Sequence, residues 1–135
     1  MESIADLHRY VAYSVPAGFA VLFLVSLFTY LFNRDPGDWY WRLLAILQVI
    51  LVVQVLAGVV LFATGRRPPA ISFAGAHYVY GSLFPLVVLA FAHRWARRHE
   101  NVSVAIFGVA AFLCFGLTTR ALQTGLGENL WPFGG

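Results

Sequence analysis

The stretch that decides the fold class is LLAILQVILVVQVLAGVVLFA, residues 43–63, which contains no charged side chain. About 20 helical residues cross the hydrocarbon core of a bilayer, so this run has the length of one membrane span. Comparable apolar runs lie on both sides of it, and the predicted spans cover residues 11–32, 43–63, 74–93 and 102–122. The sequence therefore predicts an all-α integral membrane protein in which residues 1–135 form a single four-span transmembrane domain, with no extramembrane domain.

The composition supports the membrane class. The chain is 60% hydrophobic and 11% charged, whereas a soluble domain carries about 25% charged residues. So few polar groups cannot cover a soluble globule. The sequence also lacks paired intramembrane carboxylates, a phosphate loop, a cysteine-based metal site and a nucleophile paired with a base. These absences argue against a proton or cation carrier and against hydrolytic enzymes.

The basic residues indicate an orientation. All nine are arginines, and they lie in short loops instead of one continuous stripe, which argues against a nucleic-acid partner. An even number of spans places both termini on one face, together with the second loop; that face carries Arg9, Arg66, Arg67 and Arg120. The opposite face carries Arg34, Arg42, Arg94, Arg97 and Arg98. Because cytoplasmic loops are enriched in arginine, we expect a multi-pass plasma-membrane protein with both termini outside.

A repeated motif organises the chain. At an offset of 69 residues, H-x3-[AG]-x3-P occurs twice, as His8, Ala12 and Pro16 and as His77, Gly81 and Pro85. At an offset of 60, the Thr-Gly pair at 64–65 falls on the one at 124–125. Chance matching is one explanation. Two parallel helix-hairpin repeats, residues 1–67 and 70–135, are the more economical one.

The repeat predicts a histidine pair. Four helices joined by short connections form an up-down-up-down four-helix bundle, in which the first and third helices lie on a diagonal. His8 and His77 would then face each other across the core, the arrangement that ligates a haem iron from both axial sides. Small residues one turn further along would admit the porphyrin, and arginines on the same face would neutralise its propionates. The candidate cofactor-binding residues are His8, His77, Ala12, Gly81, Arg9, Arg66, Arg67 and Arg120, with His8 and His77 as the metal ligands.

These residues carry a resemblance to a known family. The His-Arg pair at 8–9 and the H-x3-G at 77–81 in a bundle of parallel repeats resemble the b-type haem bundles of membrane cytochromes and of the heme A synthase family. The resemblance implies a bis-histidine haem b, with His8 and His77 as axial ligands, that exchanges electrons with a quinone or a redox partner. The chain departs from heme A synthases in having one bundle instead of two. It also lacks a second histidine pair, because His93 aligns with Leu24.

Other interpretations stay open for the polar residues. An interfacial histidine beside Tyr and Arg commonly has no ligand, and counting from the loop ends places His8 and His77 about four residues, or about 6 Å, apart in depth. Gln48 and Gln54 face different directions, and either helix–helix hydrogen bonds or a quinone contact would explain them. His93 and His99 lie among arginines and are interpreted as solvated loop or headgroup residues.

Two functional hypotheses follow. The first is a small b-type cytochrome-like electron-transfer module or respiratory-complex subunit, with haem b and a possible quinone as cofactors. The second is a cofactor-free membrane scaffold or accessory subunit of a larger complex. Under either hypothesis the chain is expected to be an accessory or electron-transfer subunit instead of a stand-alone enzyme. Both also predict the lipid bilayer and either other membrane subunits or further copies of the chain as partners.

Overall fold

The computed structural model describes residues 2–65 and 76–126. Within these ranges all regular structure is helical: α1 (Glu2–Leu31), α2 (Asp38–Ala63), α3 (Ala76–Tyr78), a π-helical segment (Val79–Leu83), α4 (Phe84–Arg98), a 3-10 turn (Glu100–Val102) and α5 (Ser103–Leu126). Four stretches are long and apolar enough to cross a membrane, the third of them running from Val79 to Arg98 through the π-helical segment and α4. We refer to α3, the π-helical segment and α4 together as the third span. For the described part of the chain, the prediction of all-helical structure with four such stretches is confirmed.

The helices extend beyond the predicted apolar runs at the loop-side and chain-terminal ends. α1 begins at Glu2 instead of residue 11, and α2 begins at Asp38 instead of residue 43. Hydropathy marks only the part of a helix that suits hydrocarbon, while the backbone hydrogen bonding continues through polar residues. The turn between them is made by Asn33 and Gly37, which have φ of 52° and 83°. The Asp35 carboxylate accepts a hydrogen bond from the Gly37 N–H at 3.0 Å and closes this turn.

The helices pack as a bundle in which some neighbouring helices lie closer together than others. α1 lies against α2 and α5, and α4 lies against α5. α2 approaches the third span at the π-helical segment. α1 and the third span therefore occupy diagonal positions. Residues near the start of α1 lie opposite residues near the start of the third span.

The π-helical segment has a local cause in Pro85. This residue has no N–H to donate to the carbonyl of Gly81, and its ring crowds that carbonyl. The Phe84 N–H instead bonds to the Val79 carbonyl, five residues earlier. A widened turn of this kind is rare and is frequently found at functional sites. Pro16, its counterpart in the sequence repeat, lies inside the uninterrupted helix α1.

The core is not uniform along the bundle. The core of the loop half, around Ser26, Tyr40 and Phe107, is packed: Tyr40 is fully buried, and its hydroxyl lies 2.6 Å from Ser26 Oγ. A second cavity, of about 480 Å³, lies beside the loops at the end of this half, where Thr29 and Glu100 line it. The histidine half, around His8 and His77, contains a cavity. Between them the packed residues are mainly Phe19, Leu47, Leu89 and Ala111.

Candidate functional site

His8 and His77 meet across the bundle. Their ring centroids lie 6.0 Å apart, with an angle of 74° between the ring planes. The helix ends explain their similar depth: α1 ends at Leu31, 23 residues after His8, and α4 ends at Arg98, 21 residues after His77. A difference of two residues is only about 3 Å along a helix. The mismatch of about 6 Å counted from the sequence was therefore an overestimate.

Both rings line a cavity of about 600 Å³. This volume falls within the range of about 300–1,000 Å³ typical of small-molecule and cofactor sites. Its walls come from α1, α2, the third span and α5, and most of them are apolar. The wall residues include Val15, Leu51, Val55, Val59, Phe62, Thr118 and Leu122.

His77 is oriented by a hydrogen bond from its ring. Its Nδ1 lies 2.9 Å from the carbonyl oxygen of Ala121 on α5, and because a carbonyl only accepts, Nδ1 carries the proton. A Cβ added to Gly81 would lie 3.2 Å from the Ala121 Cβ, so the third span and α5 approach closely here. In the neutral ring, Nε2 is then the nitrogen with a lone pair available to a ligand.

His8 is held differently. The side-chain amide of Gln54 on α2 donates to the backbone carbonyl of His8 at 2.7 Å. One turn further along α2, a Cβ added to Gly58 would lie 3.3 Å from the His8 ring, so the absence of a side chain makes room for the imidazole. The Nδ1 of His8 is buried without a hydrogen-bond partner.

Buried polar atoms without partners concentrate in the histidine half. In the described ranges they are His8 Nδ1, the Tyr78 hydroxyl oxygen and Thr119 Oγ1. An unpaired buried polar group costs about 1–3 kcal/mol, so most such groups in folded proteins have a partner. The loop half satisfies its buried hydroxyls within the chain. The histidine half therefore has the polar atoms and the space that a bound molecule would use.

The residues fit a haem better than a bare metal ion. A metal ion about 2 Å from one nitrogen of each imidazole sets the two ring centroids about 6 Å apart. In residues 2–65 and 76–126 no group of three or more His, Cys, Asp or Glu side chains could hold a metal ion by itself. A haem iron needs only axial ligands from the protein, because the macrocycle supplies the rest.

The predicted site residues divide into three groups. His8, His77, Ala12, Gly81 and Arg9 all line the cavity. Arg120 is not among the residues that line it, and its guanidinium donates to the Gln123 amide oxygen at 3.3 Å instead. That contact is available because the two residues are three apart on α5. The remaining two predictions, Arg66 and Arg67, lie outside the described residues.

Several lining residues were missing from the predicted site. Gln54 and Gly58 contact His8. Tyr78, which the sequence placed only among the tyrosines that could flank the ring, packs edge-on between His77 and Phe62, with ring-centroid distances of 5.7 Å and 5.4 Å. One signal was present: Gln54 and Gly58 are four residues apart and so share a face of α2. The prediction that an intramembrane Gln bonds to a neighbouring helix is met by Gln54.

The other two described histidines lie at the opposite end. His93 is a residue of α4 and not of a loop: its Nε2 donates to the Gln48 amide oxygen on α2, and its ring packs edge-on to Phe107 at 4.9 Å. His93 therefore lies inside the predicted third span, with an exposed side chain, and its interpretation as a headgroup residue stays a prediction. His99 terminates α4, with Nδ1 3.3 Å from the Trp95 carbonyl.

Comparison with known proteins adds no relative: no family model matches the chain, and no curated protein or solved structure is significantly similar to it.

Proposed function

We propose that this chain is a small b-type cytochrome-like electron-transfer module whose haem b is held by His8 and His77. The observation that carries the proposal is the convergence of two imidazoles from diagonal spans, 6.0 Å apart, in a cavity of about 600 Å³. When bound there, haem b would supply a one-electron couple.

The chain's own residues would bind and shield the group. His77 would present Nε2 to it because the Ala121 carbonyl holds Nδ1–H. The apolar walls would exclude water from the ring, and a hydrophobic shell of this kind tunes the reduction potential of an iron site. Arg9, which lines the cavity near the start of α1, would place a positive charge close to the propionates.

The proposal extends to location and partners. We propose a plasma-membrane protein with both termini outside, which donates to or accepts from a quinone or a neighbouring respiratory subunit. The five arginines of the loop face support this orientation. A membrane-impermeant maleimide should label Asp6→Cys but not His99→Cys in intact cells, and the reverse pattern would invert the orientation. Cys114 is fully buried and should not interfere.

The haem proposal is tested by a difference spectrum. Full-length protein purified in detergent from a haem-replete host should show a Soret shift and a sharp alpha band when the dithionite-reduced and oxidised spectra are subtracted. His77→Ala should abolish the low-spin bis-histidine signature, while His99→Ala, which changes a histidine outside the cavity, should preserve it. The absence of any haem spectrum in the wild type would refute the proposal and favour the cofactor-free scaffold. A wild-type signature that survives His77→Ala would refute the ligand assignment.

A further inference from the structure

His8 and His77 are held in position by different contacts. His77 is fixed through its ring, by the hydrogen bond from Nδ1 to the Ala121 carbonyl. Its backbone position is fixed as well, by the close approach of Gly81 to Ala121. A ring hydrogen bond of this type orients a ligating histidine and raises its basicity.

The ring of His8 has no such bond. Its Nδ1 has no partner at hydrogen-bond distance, the Gln54 side chain donates to the His8 backbone carbonyl, and the Gln54 backbone makes only a weaker polar contact with the ring. The wall at Gly58 and the neighbouring backbone of Gln54 limit the rotation of the imidazole.

We propose that the two histidines are unequal ligands: His77 is the permanent one, and His8 is an exchangeable one that Gln54 and Gly58 hold in position. A small uncharged molecule such as carbon monoxide would therefore bind on the His8 side of the site. This inference rests on the proposed haem function and adds to it a second ligand class and two positioning residues.

The physical reason is that the two histidines differ in the free energy needed to displace them. Displacing His77 would require breaking its bond to the Ala121 carbonyl or carrying the imidazole away from a fixed backbone. Displacing His8 requires a side-chain rotation that breaks no ring hydrogen bond comparable to that of His77. Outer hydrogen-bond partners of metal ligands typically change metal affinity about 10–100-fold, so an imbalance of this order between the two sides is expected.

The experiment uses the dithionite-reduced, haem-loaded full-length protein titrated with carbon monoxide. Gln54→Met removes the donor to the His8 carbonyl and should raise the carbon monoxide association rate about tenfold or more, because α1 loses its tie beside the ligand. Gln48→Met, the same change on the same helix but at the bond to His93, should leave that rate unchanged. Equal rates in wild type, Gln54→Met and Gln48→Met would overturn the positioning role.

Two glycine variants test whether the α2 wall beside His8 holds its ring in place. Gly58→Ala would bring a Cβ to 3.3 Å from the His8 ring and should also favour exchange, whereas Gly116→Ala, which meets nothing within 4 Å, should not. His8→Ala should retain haem on His77 and take up carbon monoxide without a competing ligand. Retention of haem by His77→Ala together with its loss from His8→Ala would reverse the assignment.

A readout without haem separates this inference from the proposed function. In the apoprotein labelled with 15N-histidine, the NMR spectrum should show His77 as a single tautomer protonated on Nδ1. His8 should show averaged tautomers, and His8→Ala assigns its signals. Two equally fixed rings would overturn the inequality even if haem binds. Unequal rings in a protein that never binds haem would leave the inequality standing and refute the proposed function alone.

Discussion

The two halves of this bundle are built from the same helices but differ in how they treat buried polar groups. In the loop half, Tyr40 and Ser26 bond to each other at 2.6 Å, and Ser26 also donates to the Leu22 carbonyl at 2.8 Å. In the histidine half, His8 Nδ1 and the Tyr78 hydroxyl have no partner and border a cavity. The loop half therefore pairs its buried polar groups within the chain, whereas the histidine half leaves two of them unpaired beside a cavity.

Among the substitutions that compare the two halves, Leu22→Ala is expected to lower the free energy of unfolding most. Leu22 is fully buried in the loop half. Truncating a buried Leu in a soluble protein costs about 2–5 kcal/mol. Lipid is as apolar as Leu, so mainly the packing part of that cost applies, and we expect about 2 kcal/mol.

The measurement is unfolding of the detergent-solubilised protein by added dodecyl sulfate, followed by circular dichroism. Val59→Ala is the control, because Val59 is exposed and lines the cavity. It should cost well under 1 kcal/mol, as surface substitutions usually do. An equal loss in the two variants would show that the two halves are packed alike.

Gly108→Ala tests the close approach of α1 and α5 in the loop half. A Cβ at this position would lie 2.8 Å from the Ser26 Cβ, an atom fixed to its backbone, so the helices must move apart. Overpacking of this kind costs about 1–3 kcal/mol, and the higher helix propensity of alanine offsets about 1 kcal/mol of this, so we expect a net loss of about 1 kcal/mol.

Gly116→Ala is the matched change on the same helix, and it meets nothing within 4 Å. Alanine is favoured over glycine inside a helix by about 1 kcal/mol, so this variant should be slightly stabilised in the same unfolding assay. If Gly108→Ala were also stabilised, the tight contact between α1 and α5 would be excluded.

The smallest effect, and the most direct test of the comparison, comes from removing one hydroxyl at each end. Tyr40→Phe loses the bond to Ser26 and should cost about 1 kcal/mol. Tyr78→Phe removes a buried hydroxyl without a partner, so in the apoprotein it should be neutral or stabilising. Dodecyl sulfate unfolding of both apoproteins checks the sign. Equal destabilisation by the two changes would mean that the Tyr78 hydroxyl is satisfied in the protein, and the contrast between the halves would then fail.

Much of the architecture followed from patterns that the sequence carries directly. The uncharged run at 43–63 and its neighbours predicted the four apolar helices, and the repeated H-x3-[AG]-x3-P singled out His8 and His77. Both features depend on spacing along the chain, which the α-helix converts into fixed heights and angles. The cavity position of Ala12 and Gly81 follows from the same spacing, because each is one turn from its histidine.

What surrounds the histidines did not follow from the sequence. The hydrogen-bond partner of His77 is the backbone carbonyl of Ala121. Every residue has such a carbonyl, so the residue type at position 121 does not reveal the bond. Gln54 and Gly58 reach His8 because of the rotation of α2 about its axis, which packing against α1 sets. Arg120 was assigned to the cofactor by its face of the membrane and its place near the end of an apolar span, yet its contact is with Gln123.

Residue spacing alone therefore predicted four helices long and apolar enough to cross a membrane, all of them found in the described residues, and one pair of histidines at matching places in two of them. Apolar length and periodicity are local properties, and they survive any arrangement of the helices. Only the tertiary structure decided that the two rings lie 6.0 Å apart beside a cavity, and that one ring is hydrogen-bonded while the other is not. Those facts depend on helix rotation, on the widened turn before Pro85 and on the close contact of Gly81 with α5, which exist only once the spans pack together.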